Sequence, residues 1–483
     1  MGLDMRRRRA TRKWGPANGR RDWFAPFMWG VLTAGGGMML ASALAGRRRR
    51  AYPLQFLRGS RADVPPVVLI PGIMGSRLLR PDGTPVWLNL RNAVGHYDLS
   101  LPLTLPLTES RDDLVPGPLL GTTAVMPRLF GFTEYYDLLD ILAAAGFRAP
   151  SPGNDGRDPA HHLFSYDWRR DLVESVRRLH ETLETLAEAH GPGTRFNMIG
   201  HSMGGLVARY YLRYGTAEPG GPVTWAGARR LNNLILVAVP NGGGIHALEA
   251  LLYGNRVGLS HTTLAAPVIA RMPSVYQLMP PRGAAALLDD KLEPLDVDLH
   301  DPATWDRYGW GPFAAARRNL DLTDDAARDK SRAFLEAALA RSGAFHRALA
   351  VEPDTPCPVR VVILGGDCLP TIARGIVPEK RGLPPRFVPW NRKENDAMFE
   401  AGDGRVTRAS VLASHLPFAE RSQFGCGLPE VADAIFGSAD HHGIYREPTF
   451  QSILLRLLLR PAPRAAAAAA AVAVAVAPPA TAG

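Results

Sequence analysis

The chain has 483 residues, 46% of them hydrophobic and 21% charged, and a formal net charge of +10. Such a length and composition exclude a disordered or fibrous chain and allow one large domain with insertions or two modest ones. Residues 1–50 hold 12 Lys and Arg against 2 Asp and Glu, so the remaining 44 charges of each sign cancel and the body offers phosphates no basic excess. Nucleic acid is not an expected partner.

Residues 1–50 read as an address rather than as part of the fold. Arginine runs at 6–9 and 47–50 flank an apolar, Gly-rich stretch over 23–46, long enough for the roughly 20 residues that cross a bilayer. More positive charge lies before it than after it, which favours an inside N-terminus and an extracytoplasmic body. An anchor, a signal cleaved after Ala43-Leu44-Ala45, and neither of these all stay open. At the other end, residues 464–483 form a low-complexity Ala/Val tail shorter than a membrane span.

Between these ends short apolar runs alternate with helical patterns. Val67 to Ile70, ending at Pro71-Gly72, reads as a strand buried on both faces, and Leu163 to Tyr166 as a second. A helix is expected from about Arg170 to His190, with Leu172, Val176, Leu179, Leu183 and Leu186 on one face. Phe196 to Ile199, Leu234 to Ala238 and Val359 to Leu364 add three strands. Another helix includes Leu206 to Tyr214, and a last amphipathic one runs from about Pro448 to Leu459. The rhythm predicts an α/β fold with a mostly parallel central sheet flanked by helices, spanning about residues 60–460. Residues 79–130 and 241–356 break it and are expected to be cap or lid insertions.

Gly200-His201-Ser202-Met203-Gly204 follows an apolar strand and opens a helix, the setting of a nucleophile elbow. A sharp turn there exposes the Ser202 hydroxyl above the sheet, and the helix N-terminus faces developing negative charge. A nucleophilic serine needs a base and an orienting acid, in the chain order Ser, Asp, His. Asp403, in the turn Gly402-Asp403-Gly404, competes with Asp367, which directly follows a strand. His441, His442 and His415 are the histidine candidates. No metal motif, phosphate loop or dinucleotide fingerprint is present, so neither a metal nor a cofactor is expected. His161-His162 lacks the spacing of a zinc site and reads as an exposed loop pair. Three cysteines (Cys357, Cys368, Cys426) are too few for a disulfide framework.

Four separated motifs resemble the lecithin:cholesterol acyltransferase-like family of α/β-hydrolases: Val67 to Leu78, Phe164-Ser165-Tyr166-Asp167-Trp168-Arg169, the elbow through Gly205, and Gly402-Asp403-Gly404 with a late His before the last helix. The resemblance implies an α/β-hydrolase with Ser202 as nucleophile, Asp403 as acid and His441 as base, the last because Ile444 stands three residues beyond it. It also implies an oxyanion hole from the backbone amides of Ile73 and Met203. Arg405 departs from the family's usual Thr, and no Cys lies between residues 79 and 130 to lock a lid. Asp167 and Arg169 are expected to pair structurally beside Trp168 rather than to react.

The implied chemistry is lipid O-acyl transfer or phospholipid hydrolysis through an acyl-serine, with an acyl-lipid donor, an alcohol or water acceptor, and work at a membrane surface. The apolar run Leu99 to Leu107 fits either lipid contact or packing under a cap. A soluble esterase on smaller esters and a catalytically silent membrane binding protein are the alternatives.

Overall fold

The computed structural model describes residues 64–87, 98–120, 134–150, 159–257, 260–314, 325–422 and 424–459. The expected leader and anchor over 1–50 and the tail over 464–483 lie outside the described residues, as do 88–97 and 121–130 of the first insertion.

The first strand, β1 (Val67–Ile70), is four β-branched or aliphatic residues with no exposed side chain. An antiparallel three-stranded sheet follows from β2 (Ser76–Leu79), β3 (Pro85–Trp87) and β4 (Val115–Leu119), in the order β3-β2-β4. Next come helix α1 (Glu134–Ala144), β5 (His161–Leu163), helix α2 (Leu172–His190), β6 (Phe196–His201), helix α3 (Met203–Tyr214) and β7 (Leu231–Val237). Helix α4 (Ile245–Tyr253) opens the second insertion, which continues with the antiparallel pair β8 (Asn255–Val257) and β9 (Ser260–Leu264) and then β10 (Leu287–Leu288). Helices α5 (Pro302–Tyr308) and α6 (Asp325–Ala350) complete that insertion. The chain closes through β11 (Arg360–Gly366), β12 (Leu369–Ile372), β13 (Gly375–Ile376), helix α7 (Arg392–Met398), β14 (Phe399–Gly402), β15 (Val431–Gly437) and helix α8 (Pro448–Leu458).

Six strands form one parallel sheet in the order β15-β11-β7-β6-β1-β5. Alternate residues of β1 feed two cores. Val68 and Ile70 pack with α2 and α3, whereas Val67 and Leu69 pack with Tyr135, Leu138 and Leu142 of α1 and with Phe450, Leu454 and Leu458 of α8. Helices therefore cover both faces, which is why the inner strands read as continuous apolar runs. The fold is the α/β-hydrolase layering of a mostly parallel sheet between helices.

Several expectations need correction. Strand β5 ends at Leu163, not Tyr166, because the chain leaves the sheet after Phe164 N donates to Leu69 O (2.9 Å). His161 and His162 are not an exposed loop pair. They lie on β5 opposite Val67 and Val68, His161 is buried, and the His162 ring meets His190 with Nε2 atoms 2.8 Å apart. Within the second insertion, the 26-residue helix α6 packs into the main core. Phe345 of α6 stacks on Tyr210 of α3 at 5.3 Å, and Tyr214 OH donates to Ala348 O at 2.6 Å. In the run Leu99 to Leu107, Leu99 and Leu101 are buried, Leu103 and Leu107 pack against the core, and Leu105 is exposed. All three cysteines are free thiols. None of the described helices is long and apolar enough to cross a membrane.

Burial also sets an acid sensitivity. It pushes His415 down to about 4, helped by the charge of Arg209, and holds the wholly enclosed His346 well below its ordinary value. Between pH 6.5 and 4 the unfolded chain binds protons that the folded chain refuses, so stability falls as pH falls through that window. At pH 5 the loss is up to about 2 kcal/mol for His415 before discounting its partial exposure, and His346 adds in the same direction. Thermal melts at pH 7 and pH 5 should show the lower midpoint at pH 5, and His415→Gln should reduce the difference.

Candidate active site

Strand β6 runs directly into α3 through Ser202, whose φ of 50° and ψ of −127° lie outside the regions a serine favours. The turn survives because its neighbours have no side chains to collide. A Cβ on Gly200 would lie 2.6 Å from Gly205 Cα, and one on Gly204 would overlap the carbonyl oxygen of Pro71. The loop after β1 is pressed against the elbow as well, for a Cβ on Gly72 would be 2.9 Å from Ser202 Cβ.

Asp403 and His441 arrive from separate parts of the chain. Strand β14 pairs with β12 and delivers Asp403 into its turn, where Thr371 Oγ1 accepts from Gly404 N (2.8 Å). Strand β15 pairs with β11 at the sheet edge, and the loop beyond it brings His441 N to Asp403 O at 2.9 Å. The side chains then form a chain of contacts: Ser202 Oγ lies 3.2 Å from His441 Nε2, and His441 Nδ1 lies 2.8 Å from Asp403 Oδ2. The other carboxylate oxygen, Oδ1, accepts from the amides of Arg405 (2.9 Å) and Val406 (2.7 Å). Burial pushes the Asp403 carboxyl up, but His441 and those two amides outweigh it and hold its pKa below the ordinary value. Arg405 serves Asp403 through its backbone, a role open to Thr or any other non-proline residue.

The rivals are placed elsewhere. Asp367 pairs with Arg408, and its amide donates to Gly437 O. His442 is half-buried beside His441, its ring nearly perpendicular to it at 5.4 Å. His415 lies near Gly242. Among the described residues, no acceptor takes the amide of Ile73 or of Met203. No group of three or more His, Cys, Asp or Glu among the described residues could hold a metal ion.

The Tyr166 to Arg169 segment braces the loop after β1. Tyr166 OH donates to Pro71 O (2.8 Å), Tyr166 N donates to Ser76 Oγ (3.3 Å), and Trp168 Nε1 donates to Ser76 O (3.1 Å). Arg169, fully enclosed, forks onto Asp112 at 2.6 and 2.8 Å and also bonds Asp167 and the carbonyl of Leu99. Burial opposes its charge, yet the two carboxylates raise its pKa further. These residues act on geometry and do not touch Ser202.

Two residues at the site were not singled out in the sequence. Tyr135 OH accepts from Gly72 N (2.7 Å) and donates to His201 Nδ1 (3.0 Å), which leaves His201 Nε2–H facing His441 O at 3.4 Å. One hydroxyl thus links the loop after β1, the elbow and the histidine loop. His201 could have been noticed inside the elbow motif, but Tyr135 is 63 residues from Gly72 and carries no local signal. Tyr135→Phe should reduce kcat about tenfold with little change in KM and should cost about 1 kcal/mol of stability, as checked by steady-state kinetics and thermal melts.

The sequence model of the lecithin:cholesterol acyltransferase family matches residues 135–308, a stretch holding the Tyr166 to Arg169 segment and the elbow. In this stretch the chain is similar to the lecithin:cholesterol acyltransferase family. The match stops short of Asp403 and His441, so the family similarity and the contacts of those two residues are separate observations. The phosphatidylcholine-sterol acyltransferase of Rattus norvegicus is 27% identical over 218 residues, covering 40% of this chain and 47% of that protein. Its Mus musculus counterpart is 27% identical over 219 residues, covering 40% and 48%. The uncharacterized protein YJR098C of Saccharomyces cerevisiae is 25% identical over 248 residues, 50% of this chain and 34% of that one. The chain therefore matches about half the length of the two acyltransferases or less. Among solved structures, a chain of the Tle4-Tli4 complex is 17% identical with a TM-score of 0.46, covering 82% of this chain and 98% of that chain. The mature Bacillus licheniformis lipase BlEst2 is 10% identical with a TM-score of 0.32, covering 83% and 94%.

Proposed function

We propose that this lipid acyltransferase or hydrolase relative is a serine-dependent lipid O-acyltransferase or phospholipase, with Ser202 as nucleophile, His441 as base and Asp403 as its orienting acid. The observation that carries the reading is the unbroken chain from Ser202 Oγ through His441 to Asp403 (3.2 and 2.8 Å) at a strained strand-to-helix turn. His441 Nε2 takes the Ser202 proton as Oγ bonds to the ester carbonyl carbon. The amides of Ile73 and Met203 hold the oxyanion, each good donor lowering the barrier by about 3–4 kcal/mol. The ester C–O bond breaks, His441 returns the proton to the departing alkoxide, and an acyl-Ser202 remains. Water or a second alcohol then gives its proton to His441 and bonds to the acyl carbon, and His441 passes that proton to Ser202 Oγ as the acyl–serine bond breaks.

The acyl-lipid donor is supported by the similarity to the lecithin:cholesterol acyltransferase family and to the phosphatidylcholine-sterol acyltransferases of rat and mouse. Work at a membrane, with residues 23–46 as an anchor and the body outside, is supported by the apolar stretch and its unequal arginine flanks. The test uses purified protein, labelled phospholipid vesicles, and a sterol or long-chain alcohol, with Ser202→Ala as control. Acyl ester on the alcohol, absent in the variant, identifies a transferase, and free fatty acid alone identifies a phospholipase. No Ser202-dependent lipid product, together with turnover of short-chain esters, would overturn the lipid reading in favour of a small-ester esterase.

A further inference from the structure

A braced, outward-facing apolar loop lies on the chain path to Asp403. Between β13 and α7, Leu383, Val388 and Trp390 are 45%, 67% and 79% exposed, and Tyr253 at the end of α4 is 52% exposed beside them. Large side chains are normally withdrawn from water, so a group of four held out together marks a surface that meets something apolar.

The loop is held in this shape. Phe387 is buried and meets the Tyr253 ring edge-on at 6.0 Å, while Tyr253 OH donates to Pro385 O (3.1 Å). Arg386 pairs with Glu394 (2.7 Å), donates to Val388 O (2.9 Å) and lies 3.7 Å from the centre of the Trp390 ring. Glu394 in turn accepts from Trp390 N (2.6 Å), and Asn391 caps α7 by accepting from Glu394 N (3.0 Å). Pro384, Pro385 and Pro389 stiffen the backbone further. Trp390 therefore points outward from a rigid support, so docking costs little ordering.

Charge says what the loop meets. Of the cations near the loop, Arg381, Arg386 and Arg392 pair with Asp306, Glu394 and Asp396, which leaves Lys380 and Lys393 at its two ends, with Glu379 beside the first. Lys380 and Lys393 are exposed and make no ion pair with a described residue. An amphipathic tryptophan with aliphatic groups, flanked by two exposed and unpaired lysines, matches an interface of acyl chains beneath anionic headgroups. We propose that the Leu383–Trp390 loop, with Tyr253, docks the enzyme on an anionic phospholipid surface. The purpose of the docking rests on the lipid-ester reading above, but its geometry and its test do not.

The test places an environment-sensitive NBD fluorophore on Val388→Cys in the full chain, with Cys357, Cys368 and Cys426 replaced by alanine and short-chain ester turnover checked for folding. Phosphatidylcholine vesicles containing phosphatidylserine should shift the emission to the blue whatever residues 1–50 do, because the probe reports its own surroundings. Adding Lys380→Glu and Lys393→Glu should raise the lipid concentration for half of the shift about tenfold. Trp390→Ala in the native background should weaken turnover on vesicles and leave short-chain ester turnover unchanged. A probe that stays in water on these vesicles would overturn the proposal, as would an equal shift on purely neutral vesicles. A lipid-independent shift that grows with protein concentration would assign the patch to a second protein molecule and also overturn it. Loss of the lipid reading gives a different pattern, with the shift retained and no Ser202-dependent lipid product.

Discussion

Ser202→Ala should lower ester turnover by about 10⁶-fold, and Asp403→Asn by about 10⁴-fold, while both proteins keep their fold. The serine effect removes the atom that forms the acyl-enzyme. The aspartate effect is indirect. With Asn the partner of His441 Nδ1 becomes neutral and can present an amide hydrogen, so the ring loses the fixed tautomer that directs Nε2 at Ser202. Asp403→Asn also leaves Oδ1 able to accept from Arg405 N and Val406 N, which is why the turn should survive. The control pair is Asp367→Asn and His442→Gln, since the former residue pairs with Arg408 and the latter is not joined to Ser202 or Asp403. Both should stay within about threefold of wild type, as expected for groups outside the reacting chain. Turnover of a short-chain chromogenic ester and labelling by a fluorophosphonate measure all four. Full labelling of Ser202→Ala, or wild-type turnover in Asp403→Asn, would defeat the assignment. The low pKa of Asp403 gives the sign of its pH effect: it stays ionised where free carboxylates begin to protonate, so it does not set an acid limb above about pH 5.

How much of this was legible in the sequence follows from where each signal resides. Strands β1, β6, β7 and β11 were readable because helices cover both faces of the sheet and force continuous apolar runs. Strand β15 was not read. At the sheet edge its residues, Val431-Ala432-Asp433-Ala434-Ile435-Phe436-Gly437, stay half-exposed or exposed, so no apolar run marks them. Helix α6 was missed for a related reason: its buried face includes Ala338, Ser342, Gly343, His346 and Ala348, which blur the periodicity. At the site, the elbow is a local signal of five consecutive residues. His441 is 239 residues from Ser202 and 38 from Asp403, and only the family's motif order singled these two out. The Tyr135 link and the second carboxylate at Arg169, Asp112, are tertiary contacts with no sequence counterpart.

The elbow helix is fixed at its far end by a charge cluster that carries the largest stability prediction. Arg209 and Arg213 of α3 and Glu430, just before β15, are all fully enclosed. Glu430 accepts from Arg209 Nε at 2.5 Å and Arg213 Nη1 at 2.9 Å, and the two guanidinium groups also bond the carbonyls of Leu349 and Val351 at the end of α6. Burial pushes the Glu430 carboxyl up, but the two arginines outweigh it and lower its pKa. Glu430→Gln leaves two arginines facing one another without a counter-charge, and such a loss costs about 3–5 kcal/mol. That is a large share of the 5–15 kcal/mol that holds a typical domain together, so the variant should melt far earlier or fail to fold. Replacing all three groups together, as Arg209→Met, Arg213→Met and Glu430→Leu, removes the unpaired charge and should recover much of the loss. The same linkage sets a sign with acid. Because the folded pKa of Glu430 is depressed, its stabilisation is present above the unfolded carboxylate value near 4.3 and is lost as pH falls through the folded value. Denaturant melts from pH 7 to pH 3 should therefore steepen in slope below about pH 4.5 in the wild type and flatten in the triple variant. Equal melts for wild type and Glu430→Gln would mean that water reaches the cluster and that the elbow helix is held by its apolar face alone.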